Sequence, residues 1–148
     1  MRRLLIALLL AGPTTLFAAE GSFEKTIPVP RDRDAKLGWA HQGCRVASVT
    51  LRNYPDQEDI DEARAKDPGD KSWLWWEFNV ANQSDRKCKI TLSVEVLDRK
   101  GNVVKSSDRS GSVSPGESDD DIRVSTLMKT LEIADAPKVR LRGTITSK

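Results

Sequence analysis

Bulky apolar side chains fill every second position of residues 73–80 (WLWWEFNV), the clearest pattern along this chain. A β-strand directs successive side chains to opposite faces, so the segment divides into two sets. One set is Leu74, Trp76, Phe78 and Val80, and the other is Trp73, Trp75, Glu77 and Asn79. We predict that the first set lies in the core. The second set then places two indoles on a face where solvent is expected.

Further strands are predicted from the same kind of alternation. Residues 87–97 alternate clearly, and residues 44–51 do so with a change of frame that predicts a bulge near Ala47 and Ser48. In the last strand, at 138–146, Gly143 interrupts the apolar row and marks a bulge or a close backbone approach. Shorter strands are predicted at 103–104, 112–114 and 119–127, and single helical turns at 60–65 and within 126–133.

Six or seven short strands separated by turn signals predict an all-β fold, an antiparallel immunoglobulin-like β-sandwich of about seven strands. The turn signals include residues 98–101, where Gly101 suits a positive φ, and the pair Pro115 and Gly116. We expect the sandwich to span residues 43–148. Residues 20–42, with their prolines and alternating charges, are expected to form an extended N-terminal lead-in.

The first 19 residues have the pattern of a secretory signal peptide. Arg2 and Arg3 precede a short apolar run, and small residues follow at Ala18 and Ala19, where cleavage is expected. The run is too short for a mature transmembrane anchor, so no stable membrane anchor is expected after cleavage. A retained anchor is the alternative interpretation.

Loss of the signal peptide also changes the charge of the chain. The whole chain has 24 basic and 22 acidic residues, and removal of Arg2 and Arg3 leaves 22 of each. Binding to nucleic acid requires a clustered positive surface, which a balanced composition does not suggest. We therefore expect no nucleic-acid partner.

Cys44 and Cys88 are the two cysteines of this chain, and in an exported protein they predict one disulfide. If the strands at 44–51, 72–81 and 88–97 alternate in direction, both cysteines lie at the same end of the fold, as a bridge requires. A redox-active pair is the alternative, although the spacing is not that of a CxxC motif.

Two groups of residues are candidates for binding. Trp73 and Trp75 could form a stacking platform for a sugar ring or an apolar side chain of a partner, or another segment could cover them. Arg140 and Arg142, with Lys138, form a basic row on the outer face of the last strand, and they would flank the tryptophans if that strand neighboured the tryptophan strand. The alternative is a solvated edge strand that its charges protect from aggregation.

Catalytic and metal-binding chemistry is weakly supported. The acidic runs at 56–62 and 119–121 lack the spacing of a calcium-binding EF-hand loop and are typical of solvated loops. His41 is the only histidine, which excludes a multi-histidine zinc site. Asn82 and Ser84 match a glycosylation sequon that we interpret as a plain turn. We expect no cofactor, no metal and no enzymatic activity.

A resemblance to a known family rests on three stretches, at 78–84 (FNVANQS), 90–104 (ITLSVEVLDRKGNVV) and 113–118 (VSPGES). Together they resemble bacterial exported immunoglobulin-like domains of the FxLYD type. In that family, non-catalytic modules of the cell envelope are typical, so no catalytic residues are implied.

We therefore expect a periplasmic or secreted, non-catalytic module that binds an envelope protein or glycan through an aromatic and basic sheet face. Two alternatives remain open. One is an accessory subunit that pairs with a partner through an exposed edge strand, and the other is a hydrolase that depends on His41.

Overall fold

A computed structural model describes residues 20–31 and 33–148, apart from the side chains of residues 119–121. The predicted signal peptide, 1–19, and the acidic side chains at 119–121 lie outside this description. Eight strands and two helices follow one another in the described part of the chain. They are β1 (Glu20–Pro28), β2 (Ala35–His41), β3 (Cys44–Arg52), α1 (Gln57–Ala65), β4 (Lys71–Asn82), β5 (Cys88–Leu97), β6 (Val103–Val113), β7 (Ser118–Lys129), α2 (Thr130–Asp135) and β8 (Lys138–Ser147).

The strands form two antiparallel sheets of four strands each. One, called here the tryptophan sheet, has the order β2-β3-β4-β7, and the opposite sheet has the order β1-β8-β5-β6. The apolar sides of the two sheets face each other and enclose one core, to which both contribute large buried side chains such as Trp76, Phe78, Leu92 and Leu141. The prediction of an all-β antiparallel sandwich is confirmed, with eight strands rather than about seven.

Residues 20–42 belong to the sandwich, which corrects the expectation that it begins at residue 43. β1 pairs with β8 and β2 pairs with β3, and each places apolar side chains in the core. Ile27, Leu37 and Trp39 are buried, and Phe23 stacks on Trp39 with ring centroids 5.7 Å apart. Few apolar residues mark these strands, and a register shift between Lys36 and Trp39 breaks the alternation of β2. For that reason the sequence pattern does not reveal them.

The predicted short strands at 103–104 and 112–114 are parts of one long strand, β6. Most of its residues are exposed, and it has one neighbour, β5, in its sheet. A strand that packs so little against the core has no apolar alternation, so its middle section was not predicted.

The central strands match their predictions closely. A register shift between Val46 and Ser48 is the expected bulge in β3, and it brings Val49 and Leu51 back to the core side. Within β4, Leu74, Trp76, Phe78 and Val80 are fully buried. The indole Nε1 of Trp76 donates to Oγ1 of Thr126 at 3.2 Å, which satisfies its buried N–H group.

A disulfide joins Cys44, the first residue of β3, to Cys88, the first residue of β5. It links the two sheets at one end of the sandwich, with the Cα atoms 6.2 Å apart and both side chains fully buried. The predicted pairing is confirmed.

Gly143 is a point of close approach between the sheets. A Cβ atom at this position would lie 2.7 Å from Cζ3 of Trp39, a distance that carbon atoms do not tolerate. The glycine in the apolar row of β8 therefore leaves room for the Trp39 ring. Of the two predicted roles, a bulge or a close backbone approach, the second is the one observed.

The acidic run at 56–62 builds the start of α1. Asp56 is the N-cap, and its Oδ1 accepts from the backbone N–H of Asp59 at 2.8 Å in a capping box. Carboxylates in the first turn also interact favourably with the positive end of the helix dipole. Ile60 and Ala63 are the buried residues that dock α1 on the fold.

Candidate interaction face

Trp73 and Trp75 project from the outer side of β4, away from the core. Their exposed fractions are 52% and 37%, the first and third largest among the large hydrophobic side chains that are exposed. Neither α1 nor the opposite sheet covers them in the described part of the chain. The side chain of Trp73 is therefore open to solvent, and that of Trp75 is partly so.

The pairing of β4 with β7 and β3 determines which residues surround the two indoles. On the β7 side, Leu127 lies opposite Trp73 and Ser125 lies opposite Trp75. On the β3 side, Arg52 lies opposite Trp75. Side chains directly across a strand pair are close enough to touch, so Trp73 and Leu127 form an apolar pair and Trp75 has a basic neighbour.

Arg52 and Arg123 share one carboxylate at the other end of this surface. Nε of Arg52 lies 3.1 Å from Oε2 of Glu77, and Nε of Arg123 lies 4.0 Å from Oε1 of the same residue. The Arg123 guanidinium also lies over the Trp75 ring, 5.0 Å from its centroid. Glu77 thus holds two arginines beside the indole, in an arrangement that exists before any partner binds.

These six side chains define what we call the aromatic face: Arg52, Trp73, Trp75, Glu77, Arg123 and Leu127. They come from three adjacent strands of the tryptophan sheet, whose backbone hydrogen bonding limits their movement relative to one another. Asn53 adds a further restraint, because its Nδ2 donates to the carbonyl oxygen of Trp73 at 2.9 Å.

Arg140 and Arg142 do not flank the tryptophans. β8 lies in the opposite sheet, between β1 and β5, so the condition under which its arginines would flank the tryptophans is not met. It is also not an edge strand, which excludes the alternative interpretation.

Both of these arginines form ion pairs with carboxylates of the neighbouring strands. Nη1 of Arg140 and Nη1 of Arg142 lie 2.8 and 2.7 Å from the two carboxylate oxygens of Glu95, which is largely buried. Glu24 of β1 contacts the same two arginines at 3.6 and 3.2 Å. Two arginines and two glutamates form a neutral network, which is a structural ladder across three strands.

Arg52, Arg123 and Leu127 were missed as members of the face. The alternation within 119–127 does assign Arg123 and Leu127 to one side of a strand. What it lacks is the identity of the neighbouring strand, and β7 reaches β4 only because the chain crosses from the opposite sheet after β6. That crossing leaves no local signal in the sequence.

Other features of the molecule are weaker candidates for a binding or catalytic site. A cleft of about 590 Å³ lies between the β5–β6 turn and α2, and its lining includes Arg99, Lys100, Glu132 and Asp135. Among the described residues, no three histidine, cysteine, aspartate or glutamate side chains gather as a metal site would require. His41 is half-buried at the end of β2.

The sequon at Asn82 has a structural role. Its Nδ2 donates to the carbonyl oxygens of Arg86 and Val113 at 2.7 and 2.9 Å, and its Oδ1 accepts from the Ser84 backbone at 2.9 Å. The side chain is 1% exposed. A buried amide nitrogen with two acceptors holds the turn after β4 in place and leaves no room for a glycan.

The chain matches no known family model, and no curated protein matches it in sequence. No helix in the described residues is long and apolar enough to span a membrane.

Proposed function

We propose that this protein is an exported, non-catalytic β-sandwich module that binds a partner of the bacterial envelope, a protein or a glycan, through the aromatic face. The observation that carries this proposal is the pair of exposed indoles on a hydrogen-bonded sheet, with arginines held beside them. Tryptophan and arginine are the residues most enriched at energetic hot spots of interfaces. Arg52 and Arg123 take the place that the sequence pattern assigned to Arg140 and Arg142.

The exposure of the two indoles supports a binding role, because it contributes no stabilisation to the isolated protein. Exposed indoles forgo the burial that stabilises such large side chains elsewhere in the fold. Because the face is already ordered, little conformational entropy is lost when a partner binds.

A periplasmic or secreted setting fits the remaining features. A fully buried disulfide is typical of proteins that fold in an oxidising compartment. The signal-peptide pattern of residues 1–19 and the resemblance to exported domains of the FxLYD type support the same assignment. The near-neutral mature composition supports a partner other than nucleic acid.

Pairing through an edge strand is the weaker alternative. The core-facing positions of β6 opposite Val96 and Leu92 carry Lys105 and Arg109, and charges pointing inward on an edge strand oppose the addition of another strand. In the tryptophan sheet, Gly38 and a register shift interrupt the edge strand β2, so two of the four edge strands are poor templates for a partner strand. We therefore favour binding through the sheet face.

The test is a double substitution on the aromatic face with a matched control. Trp73→Ala/Trp75→Ala removes the two indoles, and Val103→Ala/Val104→Ala removes the two exposed valines of similar exposure on β6. Pull-down from envelope protein fractions and binding to envelope glycans are measured for both proteins. We expect the tryptophan variant to lose interactions that the valine variant keeps. If the tryptophan variant retained every interaction of the parent, the assigned face would be wrong.

A further inference from the structure

The outer sides of the two sheets carry very different charge. On the tryptophan sheet, the outward strand positions hold Lys36, Arg45, Arg52, Lys71, Arg123 and Lys129. Glu77 is the one outward acidic residue among the side chains that the structure describes on these strands. Asp34, from the loop before β2, adds a second carboxylate, which accepts from the Thr50 hydroxyl. Among the side chains that the structure describes on this surface, which exclude those of residues 119–121, positive charge is in clear excess.

The opposite sheet is balanced. Its outward positions hold four cations and four carboxylates: Lys89, Lys138, Arg140 and Arg142, with Glu20, Glu24, Glu95 and Asp108. Because the mature chain has equal numbers of both signs, the excess among the described side chains of the tryptophan sheet is a matter of placement and not of composition.

Lys71 and Lys129 lie directly opposite each other across β4 and β7. Like charges in this position destabilise a sheet, and neither lysine has an ion-pair partner among the described residues. Asp70, the adjacent acidic residue, is hydrogen-bonded through its Oδ2 to the Thr130 hydroxyl at 2.9 Å.

The next pair along the two strands is Trp73 and Leu127. Two lysines without an ion pair among the described residues therefore adjoin an exposed apolar pair.

We infer that the partner bound by the aromatic face is an acidic protein surface, with carboxylates placed next to apolar or aromatic side chains. This inference rests on the proposed function and names the chemistry of its partner. The carboxylates pair with Lys71 and Lys129, neither of which lies within ion-pair distance of a carboxylate among the described side chains. The neighbouring apolar side chain packs on Trp73 and Leu127, and Arg52 and Arg123 offer the guanidinium donors that Glu77 leaves unused.

The arrangement at Trp75 favours a protein over a glycan. A sugar ring stacks flat on an indole, but the Arg123 guanidinium already lies over the Trp75 ring. Mixed clusters of tryptophan and arginine are instead typical of protein interfaces. Four strands spaced about 4.8 Å apart and rising about 3.3 Å per residue give a surface about 20 Å wide and 30 to 40 Å long. That approaches the roughly 800 Å² that each partner buries in a standard protein interface.

Defined polymers test the partner class with the full exported protein. The probes are a random copolymer of glutamate and tyrosine, poly-glutamate, polygalacturonate, and vesicles of phosphatidylglycerol. Affinity is measured from tryptophan fluorescence and its dependence on salt. Lys71→Glu/Lys129→Glu is compared with Lys89→Glu/Lys138→Glu, which changes the net charge equally on the balanced sheet.

We expect the glutamate–tyrosine copolymer to bind more tightly than the other probes. Its affinity should fall on the order of tenfold in the Lys71/Lys129 variant and less than about twofold in the Lys89/Lys138 variant. Equal losses in the two variants would mean unspecific charge attraction and overturn the inference. If the protein bound polygalacturonate most tightly, the partner would be an acidic glycan and the inference would be wrong. If it bound the vesicles most tightly, the partner would be a membrane surface and the inference would also be wrong.

The failure of this inference is distinguishable from failure of the proposed function. If no anionic probe binds, but interactions with envelope fractions still disappear in Trp73→Ala/Trp75→Ala, the acidic partner is wrong and the aromatic face remains the binding site. If those interactions persist in that variant, the face itself is wrong, whatever the probes do.

Discussion

The guanidinium of Arg123 lies over the indole of Trp75, with its Cζ atom 5.0 Å from the ring centroid. This contact covers part of the Trp75 ring, which is less exposed than that of Trp73, although both project from the same side of β4. It also makes the aromatic face asymmetric, with one free indole and one that is partly covered by a cation.

Substitution Arg123→Ala should expose the Trp75 ring. We expect the indole resonance of Trp75 to become more sensitive to a soluble paramagnetic agent, while the free energy of unfolding falls by less than about 1 kcal/mol, as for an exposed cation–π pair. Arg45→Ala, which removes an exposed arginine from the same sheet, is the control and should leave the resonance unchanged. An unaltered Trp75 signal in the Arg123 variant would contradict the contact.

Gly143→Ala should destabilise the fold, because the new methyl group would collide with the Trp39 ring. Overpacking of this kind costs about 1 to 3 kcal/mol in a well-packed core, and urea denaturation measures it. The control is Gly69→Ala, where the nearest atom to an added Cβ is Oδ1 of Asp67 at an ordinary 3.5 Å. Equal stability of the two variants would show that the sheets do not approach closely at Gly143.

A short chain of hydrogen bonds connects the core to β6. Trp76 Nε1 donates to Thr126 Oγ1 at 3.2 Å, and the Thr126 hydroxyl donates to Ser107 Oγ at 3.0 Å. Thr126→Val keeps the shape but leaves the buried indole N–H without an acceptor, a loss of about 1 to 3 kcal/mol. Ser107→Ala leaves the indole bond intact and should cost less. Chemical denaturation of both variants measures the two losses in free energy of unfolding. A larger loss in Ser107→Ala than in Thr126→Val would refute this account.

Removal of the disulfide by Cys44→Ser/Cys88→Ser should lower the free energy of unfolding by about 4 kcal/mol in the chain-entropy treatment of the loop it closes. The natural bridge should resist reduction under native conditions, since both cysteines are fully buried. Mass spectrometry after treatment with a thiol, with and without urea, measures this. Rapid reduction without urea would contradict the buried position.

The hydrogen bonds in the turn after β5 predict how the stability of the fold depends on acidic pH through Asp98. The backbone N–H of Asn102 donates to Asp98 Oδ1 at 2.9 Å, and with the N–H of Lys100 it holds the pKa of Asp98 below its usual value of 3.8. A lowered folded-state pKa means that the stabilisation is present above about pH 4 and is lost as the pH falls through the folded-state value. An NMR titration of the Asp98 carboxyl carbon should give a midpoint below that of the unfolded chain. A midpoint at or above 3.8 would contradict these hydrogen bonds.

The amino-acid pattern predicted the central strands well because an unbroken row of apolar residues occupies one side of β4 and of β5. Trp76 and Phe78 lie inside while Trp73 and Trp75 lie outside, and period-two burial is a local property that a single strand shows. The outcome was different for β1, β2 and β6. These strands place fewer apolar side chains in the core or interrupt their alternation, so their pairing depends on neighbours that are distant in the chain.

For the aromatic face too, one part followed from the sequence and the other part only from the tertiary structure. Alternation alone determined that two indoles lie on the outer side of β4, and the two cysteines alone determined the bridge between Cys44 and Cys88. Only the tertiary structure decided that Arg52 and Arg123 flank Trp75, while Arg140 and Arg142 pair with glutamates on the other sheet. The physical reason is that side-chain direction follows from the backbone of one strand, whereas the order of strands in a sheet results from burying all the apolar surfaces together.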